Sequence, residues 1–366
     1  MQLPTHGGGN ICLMTKPLQL TRRELLALLA AGVSLPSIAD AASGHEQDWQ
    51  WLLGNWDVWH VRLKDRLVGS TEWQEFAGKS AFWPTLGGLG NIDDNSLDLP
   101  AGVYRGLSIR AFDPATKTWA IWWLDGRNPE HIDPPVRGGF RSDEGEFIGT
   151  DTYKGTPVTV RFRWHEVHGK RPHWDQAFST DGGKTWEINW RNYFTRTSVK
   201  AAPLPRIEGD PPQARDWDFL VGQWRVRNRR LRQRLSGDKQ WDEFDSTLVN
   251  WPVIGGRGNI GDNHFMGPGE PYPGMSMRAF NAEKNEWLSW WLDGRSPANI
   301  GAPVRGRFVD GVGTLIGDDQ HDGRPIKVRS LWTRTATPAP RWEQAASLDD
   351  GKTWETNWVA EFARVK

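Results

Sequence analysis

The sequence has almost no cysteine, few tyrosines and no net charge. Its one cysteine, Cys12, lies near the start of the 366-residue chain, so the chain beyond it can form neither an internal disulfide nor a thiol nucleophile. Lys+Arg and Asp+Glu are equal at 45 each, which gives no electrostatic reason to expect nucleic acid or an anionic membrane as a partner. The apolar run that follows Leu26 is too short, and too interrupted by Ser and Pro, for a membrane span.

The N-terminal segment has the composition of a secretion signal. Residues 21–26 read TRRELL, and a short apolar run with small residues near Ala41 and Ala42 follows them. The Arg22-Arg23 pair resembles a twin-arginine export signal. We therefore expect a signal peptide over 1–42 and a periplasmic or secreted product. The alternative is an ordinary amphipathic N-terminal helix.

The chain beyond the signal is an internal duplication. Shifting the sequence by 168 residues aligns it with itself almost without gaps, as WWLDGR at 122–127 and 290–295 illustrates. That period is far too long for a solenoid repeat or a propeller blade, so each copy is a whole domain. The predicted organisation is a first domain over 46–198, a Pro-rich linker over 199–214 and a second domain over 215–366.

Composition and patterning predict an all-β fold for both copies. Tryptophan is abundant at 24 residues, and 40 glycines and 24 prolines indicate many turns. Short alternating runs bounded by Gly, Pro or Asp outnumber helical periodicities.

Each copy carries the pattern S-x-D-x-G-x-T-W, at 179–186 and 347–354. It resembles the Asp-box of sialidases, in which Asp and Gly close a tight hairpin turn above a packed Trp. An Asp side chain can accept backbone N–H groups in such a turn, and Gly supplies a positive φ. Because the pattern occurs once per copy rather than once per propeller blade, we interpret it as a structural hairpin and not as a sialidase active site.

The ends of each copy resemble those of lipocalin-like (calycin) barrels. Each copy opens with G-x-W, at 54–56 and 222–224, and closes with F-x-R, at 194–196 and 362–364. The resemblance implies that Trp56 closes the barrel floor and that an Arg from the last strand stacks on it. It predicts two tandem lipocalin-like antiparallel β-barrels of the bacterial, function-unassigned kind. Such barrels hold a small ligand, and some are lyases, isomerases, hydratases or cyclases.

Residues that recur in both copies are expected to do the same job twice. In 104–112 and 272–280 one strand face repeats identically with polar and aromatic residues, while the other face is apolar and variable. Trp rings with Arg, Asp and Asn groups suit a ring-bearing, amphipathic ligand. The predicted ligand-binding residues are Trp73, Tyr104, Arg110, Trp123, Arg127, Gln176, Asn189, Trp241, Glu243, Tyr272, Arg278, Trp291, Asp293, Arg295, Gln344 and Asn357.

Two other interpretations stay open at the level of sequence. The repeated polar residues also suit a structural network in which Arg and Asp satisfy each other inside the barrel. Alternatively, Glu75 and Asp125 are candidates for acid/base catalysis in a cofactor-independent lyase, isomerase or hydratase, with Arg110 as an anion clamp. Alternation alone does not decide which strand face points inward.

No cofactor or metal is predicted. The sequence shows no convincing dinucleotide, P-loop or nucleophile-elbow motif. HEVHGKRPH at 165–173 is rich in histidine, but no histidine recurs in the second copy, and we interpret this segment as a solvated loop. The predicted partner is a small molecule; the sequence indicates no oligomeric state.

Overall fold

The computed structural model of the protein describes residues 44–365, and the predicted signal peptide over 1–42 lies outside the described residues. The described part consists of two closed barrels, each made of ten antiparallel strands, which confirms the predicted all-β fold with two tandem barrels. No helix within 44–365 is long and apolar enough to cross a membrane.

In both barrels every strand pairs with the next one along the chain, and the last strand closes onto the first. Barrel 1 contains β1 (Gly54–Leu63), β2 (Trp73–Thr85), β3 (Gly90–Leu99), β4 (Gly102–Asp113), β5 (Thr118–Asp125), β6 (Val136–Arg141), β7 (Glu144–Tyr153), β8 (Thr156–His165), β9 (His173–Ser179) and β10 (Glu187–Ser198). Barrel 2 contains β11 (Gly222–Leu231), β12 (Trp241–Val253), β13 (Gly258–Met266), β14 (Tyr272–Asn281), β15 (Glu286–Asp293), β16 (Val304–Val309), β17 (Val312–His321), β18 (Arg324–Thr333), β19 (Arg341–Ser347) and β20 (Glu355–Arg364).

This up-and-down order gives each barrel two distinct ends. We call the end at which the first strand begins the floor. We call the opposite end the mouth; in barrel 1 it carries the β1–β2, β5–β6 and β9–β10 loops. Along β1, Trp56 and Val58 are buried and face inward, whereas Asp57 and Trp59 are exposed and face outward, as the period of two in a strand requires.

A Trp–Arg stack closes each floor. The Arg196 guanidinium lies 4.1 Å from the centroid of the Trp56 ring, and that of Arg364 lies 4.3 Å from the centroid of Trp224. Each indole N–H donates to a backbone carbonyl in a short 3-10 helix that precedes the first strand, over 2.7 Å in both barrels. The stacks implied by the G-x-W and F-x-R pairs are therefore present in both copies.

The two barrels pack against each other through the outer faces of β2–β5 and β12–β15. The apolar, variable faces of β4 and β14 contribute fully buried side chains such as Leu107, Ile109 and Met277 to one continuous cluster. The rings of Trp83 and Trp251, which occupy equivalent positions in the two copies, lie 5.6 Å apart across this interface. A contact between equivalent residues marks a pseudo-twofold axis between the barrels.

Two equivalent hydrogen bonds cross the interface on either side of that axis. The Leu86 backbone N–H donates to Asp262 Oδ1, and the Ile254 N–H donates to Asp94 Oδ1, both over 2.9 Å. Leu86 and Ile254 adopt φ values of 54° and 52°, which is strained for bulky side chains and costs most for a β-branched one. The interface therefore holds the same strained turn in place twice.

The S-x-D-x-G-x-T-W segments form the tight turns between β9 and β10 and between β19 and β20. Asp181 Oδ1 accepts the N–H groups of Lys184 and Thr185 over 3.0 and 2.9 Å, and Ser179 Oγ accepts the N–H of Gly183 over 2.8 Å. These hydrogen bonds, led by those from Thr185, lower the pKa of Asp181 to about 2. The turn is a self-contained structural unit at the barrel mouth.

Candidate functional site

Barrel 1 encloses a cavity of about 440 Å³ that runs from the floor to the mouth. Tyr104, Ser108 and Arg110 line it, whereas Leu107 and Ile109 lie in the interface between the barrels. The structure thus settles the question of strand faces: the face that repeats identically points into the lumen, and the variable apolar face points outward.

A buried hydrogen-bond network occupies the deep end of the lumen. Arg110 Nη1 donates to Asn91 Oδ1 over 3.0 Å and to Asp93 Oδ1 over 3.2 Å. Asp93 also accepts the Ser108 backbone N–H and the Asn95 amide, each over 3.0 Å. The Arg110 guanidinium further lies 4.6 Å from the centroid of the floor residue Trp49. Because Asp93 already neutralises Arg110, this residue is a structural part of the deep lumen rather than an open clamp for an anion.

The middle of the lumen is walled by aromatic rings. Trp174 packs edge-on against Phe162 and against Trp190, with centroid separations of 4.9 and 6.0 Å. Trp164 continues this wall toward the floor, and Phe178 continues it toward the mouth. The indole N–H groups of Trp164 and Trp190 are buried and have no hydrogen-bond acceptor among the described residues. The wall therefore offers flat apolar faces together with unused donors.

The WWLDGR motif builds a clasp at the rim of the mouth. Asp125 accepts two hydrogen bonds from the Arg127 side chain, over 2.6 and 3.1 Å, and one from its backbone N–H over 2.8 Å. The Arg127 guanidinium lies 3.9 Å from the centroid of Tyr104, whose hydroxyl accepts the Trp123 indole N–H over 3.0 Å. Both oxygens of Asp125 are thus committed to Arg127, which leaves this carboxylate poorly placed for acid/base work.

The same clasp recurs in barrel 2. Asp293 accepts from the Arg295 side chain over 2.6 and 2.9 Å, and the Arg295 guanidinium lies 3.8 Å from the centroid of Tyr272. Trp291 occupies the position of Trp123 and packs against Phe265. In both copies the geometry fits the interpretation that the repeated Arg–Asp pair is structural, with each Asp and Arg satisfying the other.

The remaining predicted residues of barrel 1 lie in two places, inside the lumen and on the outer surface. Gln176 lines the cavity and donates to the fully buried Asn189 over 2.8 Å, so Asn189 positions Gln176 from behind. Trp73 and Glu75 share the outward face of β2. Trp73 stacks under Arg191 at 4.9 Å, and the exposed Glu75 accepts the N–H of Trp59 on the outer surface. Glu75 and Asp125 are therefore not brought together.

Barrel 2 uses the predicted positions differently. Arg278 is buried between Trp217 and Trp332 and donates to Asn259, but Gly261 stands where barrel 1 has Asp93. Without a carboxylate partner among the described residues, burial lowers the pKa of Arg278 to about 9. The equivalents of Gln176 and Asn189 are paired as well, since the Asn357 amide donates to Gln344 over 3.4 Å.

The outward-facing pair of barrel 2 lies apart from any lumen. Trp241 and Glu243 border a shallow, open groove of about 760 Å³, and Glu243 pairs with Arg227 over 2.8 Å. Inside the barrel, Leu248 and Phe265 stand where barrel 1 has Ser80 and Leu97. The lumina of the two copies therefore differ in chemistry although their rims are alike.

Several residues of the barrel 1 cavity were not predicted. Six of those with polar or charged groups near the mouth or in the upper lumen are His60, Arg62, Arg66, Asp133, Asp151 and Asn192. Burial lowers the pKa of His60 to about 4, so it is neutral, and its ring stacks on Phe76 at 4.8 Å. Burial raises the pKa of Asp133 to about 6, and the neighbouring Asp151 raises it further. Three of the six, His60, Asp133 and Asn192, are replaced by Asn, Gly and Ala in copy 2, so a search for residues kept in both copies discards them.

The histidine-rich segment lies between β8 and β9, at the floor end. His165 pairs with Asp175 over 2.7 Å, and its ring stacks on that of His173 at 4.8 Å. Within residues 44–365 no group of three or more His, Cys, Asp or Glu side chains is arranged to hold a metal ion.

No protein-family model matches the chain, and no curated protein matches its sequence. Thirteen chains among the solved structures match, and three of them illustrate the level of similarity. The S-type phycobiliprotein lyase of Guillardia theta is 13% identical at a TM-score of 0.29, covering 41% of this chain and 90% of its own. A DUF3598-family protein of unknown function from Nostoc punctiforme is 12% identical at 0.26, covering 88% and 100%. A putative AttH from Nitrosomonas europaea is 9% identical at 0.12, covering 91% and 98%. At these TM-scores none of the three determines the function of this chain.

Proposed function

We propose that barrel 1 binds one small, ring-bearing, amphipathic molecule in its lumen, and that both barrels belong with the lipocalin-like barrels. The observation that carries the first proposal is the cavity of about 440 Å³ inside the barrel, with indole and phenyl rings along one wall and polar groups at both ends. Cavities of roughly 300–1,000 Å³ with a few placed polar groups are typical of small-molecule sites. The Trp–Arg stack on each floor supports the second.

Aromatic stacking gives the predicted ligand its shape. Trp174, Trp190, Phe162 and Phe178 present ring faces and edges to the lumen, and each aromatic pair of this kind is worth about 0.5–1.5 kcal/mol beyond buried area. Buried indole N–H groups add hydrogen bonds that only a polar ligand atom or a water molecule can satisfy. A purely aliphatic chain would leave them unpaired, so a ring system with polar substituents fits this wall best.

A neutral aromatic dye tests the proposed binding. Phenylnaphthylamine is nearly dark in water and fluoresces in an apolar site. We expect saturable binding of one molecule per chain and a higher melting temperature, because a ligand of the native state stabilises it. Gln176→Trp fills the lumen of barrel 1 and should abolish binding. Gln344→Trp, the same change in barrel 2, is the matched control and should leave it intact.

Equal loss in the two variants, or no saturable signal with the native chain, would refute binding in barrel 1. Circular dichroism and the melting temperature of each variant establish that it folds. Stoichiometry adds a second check, since two molecules per chain would place equivalent sites in both barrels.

A cofactor-independent lyase, isomerase or hydratase is the second candidate function. The observation that favours it is Asp133, a half-buried cavity carboxyl whose pKa of about 6 would let it take up and release a proton near neutral pH. Asp133 replaces Glu75 and Asp125 as the acid/base candidate, because Glu75 faces outward and Asp125 is committed to Arg127. For a bound ligand that is turned over, Asp133→Asn should remove turnover and leave the dissociation constant within about threefold. Turnover that survives this change would exclude Asp133 from the chemistry.

We also propose that the chain is exported by the twin-arginine route. The Arg22-Arg23 pair and the apolar run after it support this.

A further inference from the structure

Two of the four arginines that line the barrel 1 cavity have no acidic partner among the described residues. Arg62 lies on β1 and Arg66 lies in the β1–β2 loop, and both line the cavity near its mouth. No carboxylate oxygen of residues 44–365 lies within 4.0 Å of either guanidinium. Burial lowers the pKa of Arg62, and the charges of Arg66 and Arg127 lower it further, so the three cations face one region.

Aromatic rings hold these two side chains in place. The guanidiniums of Arg62 and Arg66 lie 5.3 and 5.7 Å from the centroid of the same ring, that of Trp190. Arg66 also lies 5.6 Å from the ring of Tyr153 and 5.8 Å from that of Phe178. Stacking fixes the planes of the guanidiniums but leaves the N–H groups of Arg66, which are hydrogen-bond donors, free for another molecule.

Barrel 2 shows what the Arg66 position does when a carboxylate pairs with it. The Arg62 position does not differ in this respect: its equivalent, Arg230, lies 5.3 Å from the centroid of Trp358 and forms no ion pair within 4.0 Å among the described residues. Arg234, the equivalent of Arg66, lies 3.4 Å from Asp319 and 3.3 Å from the ring nitrogen of His321. In barrel 1 the equivalent carboxylate, Asp151, forms no ion pair within 4.0 Å among the described residues, and Tyr153 replaces the histidine. The internal neutralisation seen in barrel 2 is therefore absent from the described part of barrel 1.

The indole donors differ in the same way. Trp358 Nε1 of barrel 2 donates to Asn228 Oδ1 over 3.0 Å. In barrel 1 His60 stands in place of that asparagine, and the buried Nε1 of the equivalent Trp190 has no acceptor among the described residues. Three donor groups in barrel 1 thus surround one part of the cavity wall.

The groups beside Arg62 and Arg66 do not pair with their charges. Gln74, in the amide orientation that suits both side chains, accepts from Arg62 over 2.6 and 3.0 Å and is neutral. Glu187 attracts Arg66 but is held by the backbone N–H of Leu67, over 2.9 and 3.0 Å. Arg127 is neutralised by Asp125, as described above.

We propose that the ligand of barrel 1 carries an anionic group of the carboxylate or sulfonate class, which binds between Arg62 and Arg66 beside the Trp190 indole N–H. The ring system of the same ligand then lies along the aromatic wall below. Planar guanidiniums suit such anions because they donate parallel hydrogen bonds to two oxygens. This inference rests on the proposed binding function and names its substrate class.

Two dyes with the same aromatic body test the inference. Anilinonaphthalene sulfonate carries the anionic group, and phenylnaphthylamine lacks it. We expect the native chain to bind the sulfonate at least tenfold more tightly, and this preference to shrink as salt rises, because salt screens charge pairs. Arg62→Gln and Arg66→Gln should each weaken sulfonate binding about tenfold and change phenylnaphthylamine binding less than twofold. Arg234→Gln, the matched change in barrel 2, should affect neither dye.

The outcomes separate the two proposals. If phenylnaphthylamine binds in barrel 1 but the sulfonate binds no more tightly and without salt dependence, the anion site is refuted while the binding function stands. If neither dye binds, both are refuted. Equal weakening of both dyes by Arg66→Gln would indicate a packing role and would also refute the anion site. Should Arg66→Gln fail to fold, the salt dependence and dye preference of the native chain decide the matter by themselves.

Discussion

Replacing Asp by Asn at two equivalent positions of the interface between the barrels should change folding stability in opposite directions. Asp262 and Asp94 occupy equivalent positions, and each accepts one backbone N–H from the other barrel over 2.9 Å. Asp94 also pairs with Arg105 over 2.5 Å, and both side chains are almost fully buried. The equivalent of Arg105 in barrel 2 is Pro273, and Asp262 forms no ion pair within 4.0 Å among the described residues.

The magnitude follows from the cost of burying a charge. Burial raises the pKa of Asp262 from 3.8 to about 6. At about 1.36 kcal/mol per pKa unit, the ionised carboxylate destabilises the folded state by up to about 3 kcal/mol above pH 6. Between pH 3.8 and 6 the folded state binds the proton more tightly than the unfolded state, so the stability of the native chain falls as pH rises through this window.

Asp262→Asn keeps an oxygen for the Leu86 N–H and removes the charge. We expect the variant to gain about 1–3 kcal/mol in free energy of unfolding at pH 8 and to match the native chain near pH 4. Burial raises the pKa of Asp94 to about 6 as well, although Arg105 lowers it. The two sites differ in what the substitution leaves behind: Asp94→Asn keeps the equivalent hydrogen bond but leaves the Arg105 guanidinium buried without a counter-ion, so it should lose about 3–5 kcal/mol at pH 8.

Urea unfolding followed by tryptophan fluorescence at pH 4, 6 and 8 measures both effects. The reasoning is refuted if Asp262→Asn loses stability at pH 8, or if its difference from the native chain does not change with pH. If both substitutions change the free energy of unfolding in the same direction and by the same amount, the Arg105 ion pair does not distinguish the two sites.

Three further predictions follow from the described contacts. Arg110→Met should lower the free energy of unfolding by about 3–5 kcal/mol, because it leaves Asp93 buried and unpaired. Arg278→Met should change it little, because no carboxylate pairs with Arg278 among the described residues. Similar losses for the two variants in urea unfolding would contradict this difference. Hydrogen bonds from Arg305 and Lys284 lower the pKa of Glu130 to about 2. The Glu130 carboxylate should therefore stabilise the folded state above about pH 4.5 and lose that effect as pH falls toward 2. Glu130→Gln should therefore lower the urea midpoint at pH 7 but hardly at pH 2, and a pH-independent difference would exclude the ion pair as its cause. Replacing the Arg22-Arg23 pair with Lys-Lys should keep the chain in the cytoplasm in cell fractionation, and unchanged export would refute the twin-arginine route.

Internal duplication located the architecture but did not distinguish residues of the frame from residues of the lumen. Residues identical in both copies, such as the Asp125–Arg127 clasp, the floor Trp–Arg stack and Asp181 of the tight turn, turned out to be parts of the frame that each barrel needs. Residues that distinguish the lumina, such as Asp133 and Tyr153 against Gly301 and His321, differ between copies. Arg62, Arg66 and Trp190 nevertheless recur as Arg230, Arg234 and Trp358, so identity between the copies does not by itself separate frame residues from lumen residues.

Outward-facing residues also recur in both copies. Trp73 and Glu75 recur as Trp241 and Glu243, and the repetition suggested a shared cavity. Strand alternation places them on the face opposite to Phe76 and Phe244, where Trp73 stacks on Arg191 and Glu75 accepts from Trp59. Alternation separates the two faces of a strand but does not say which one is inside.

By itself the sequence determined that the chain is all-β and duplicated, because turn residues and period-two alternation are local properties and a repeat is visible when the chain is aligned with itself. The Trp–Arg stack at each floor was implied by the resemblance of the G-x-W and F-x-R ends to lipocalin-like barrels. Only the tertiary structure decided that the apolar face of β4 packs against the second barrel, that Arg110 is neutralised by Asp93, and that Arg62 and Arg66 meet over Trp190. Those facts depend on which strand faces close around a common interior and on contacts between residues more than 100 positions apart, such as Arg62 and Trp190, and no local pattern encodes them.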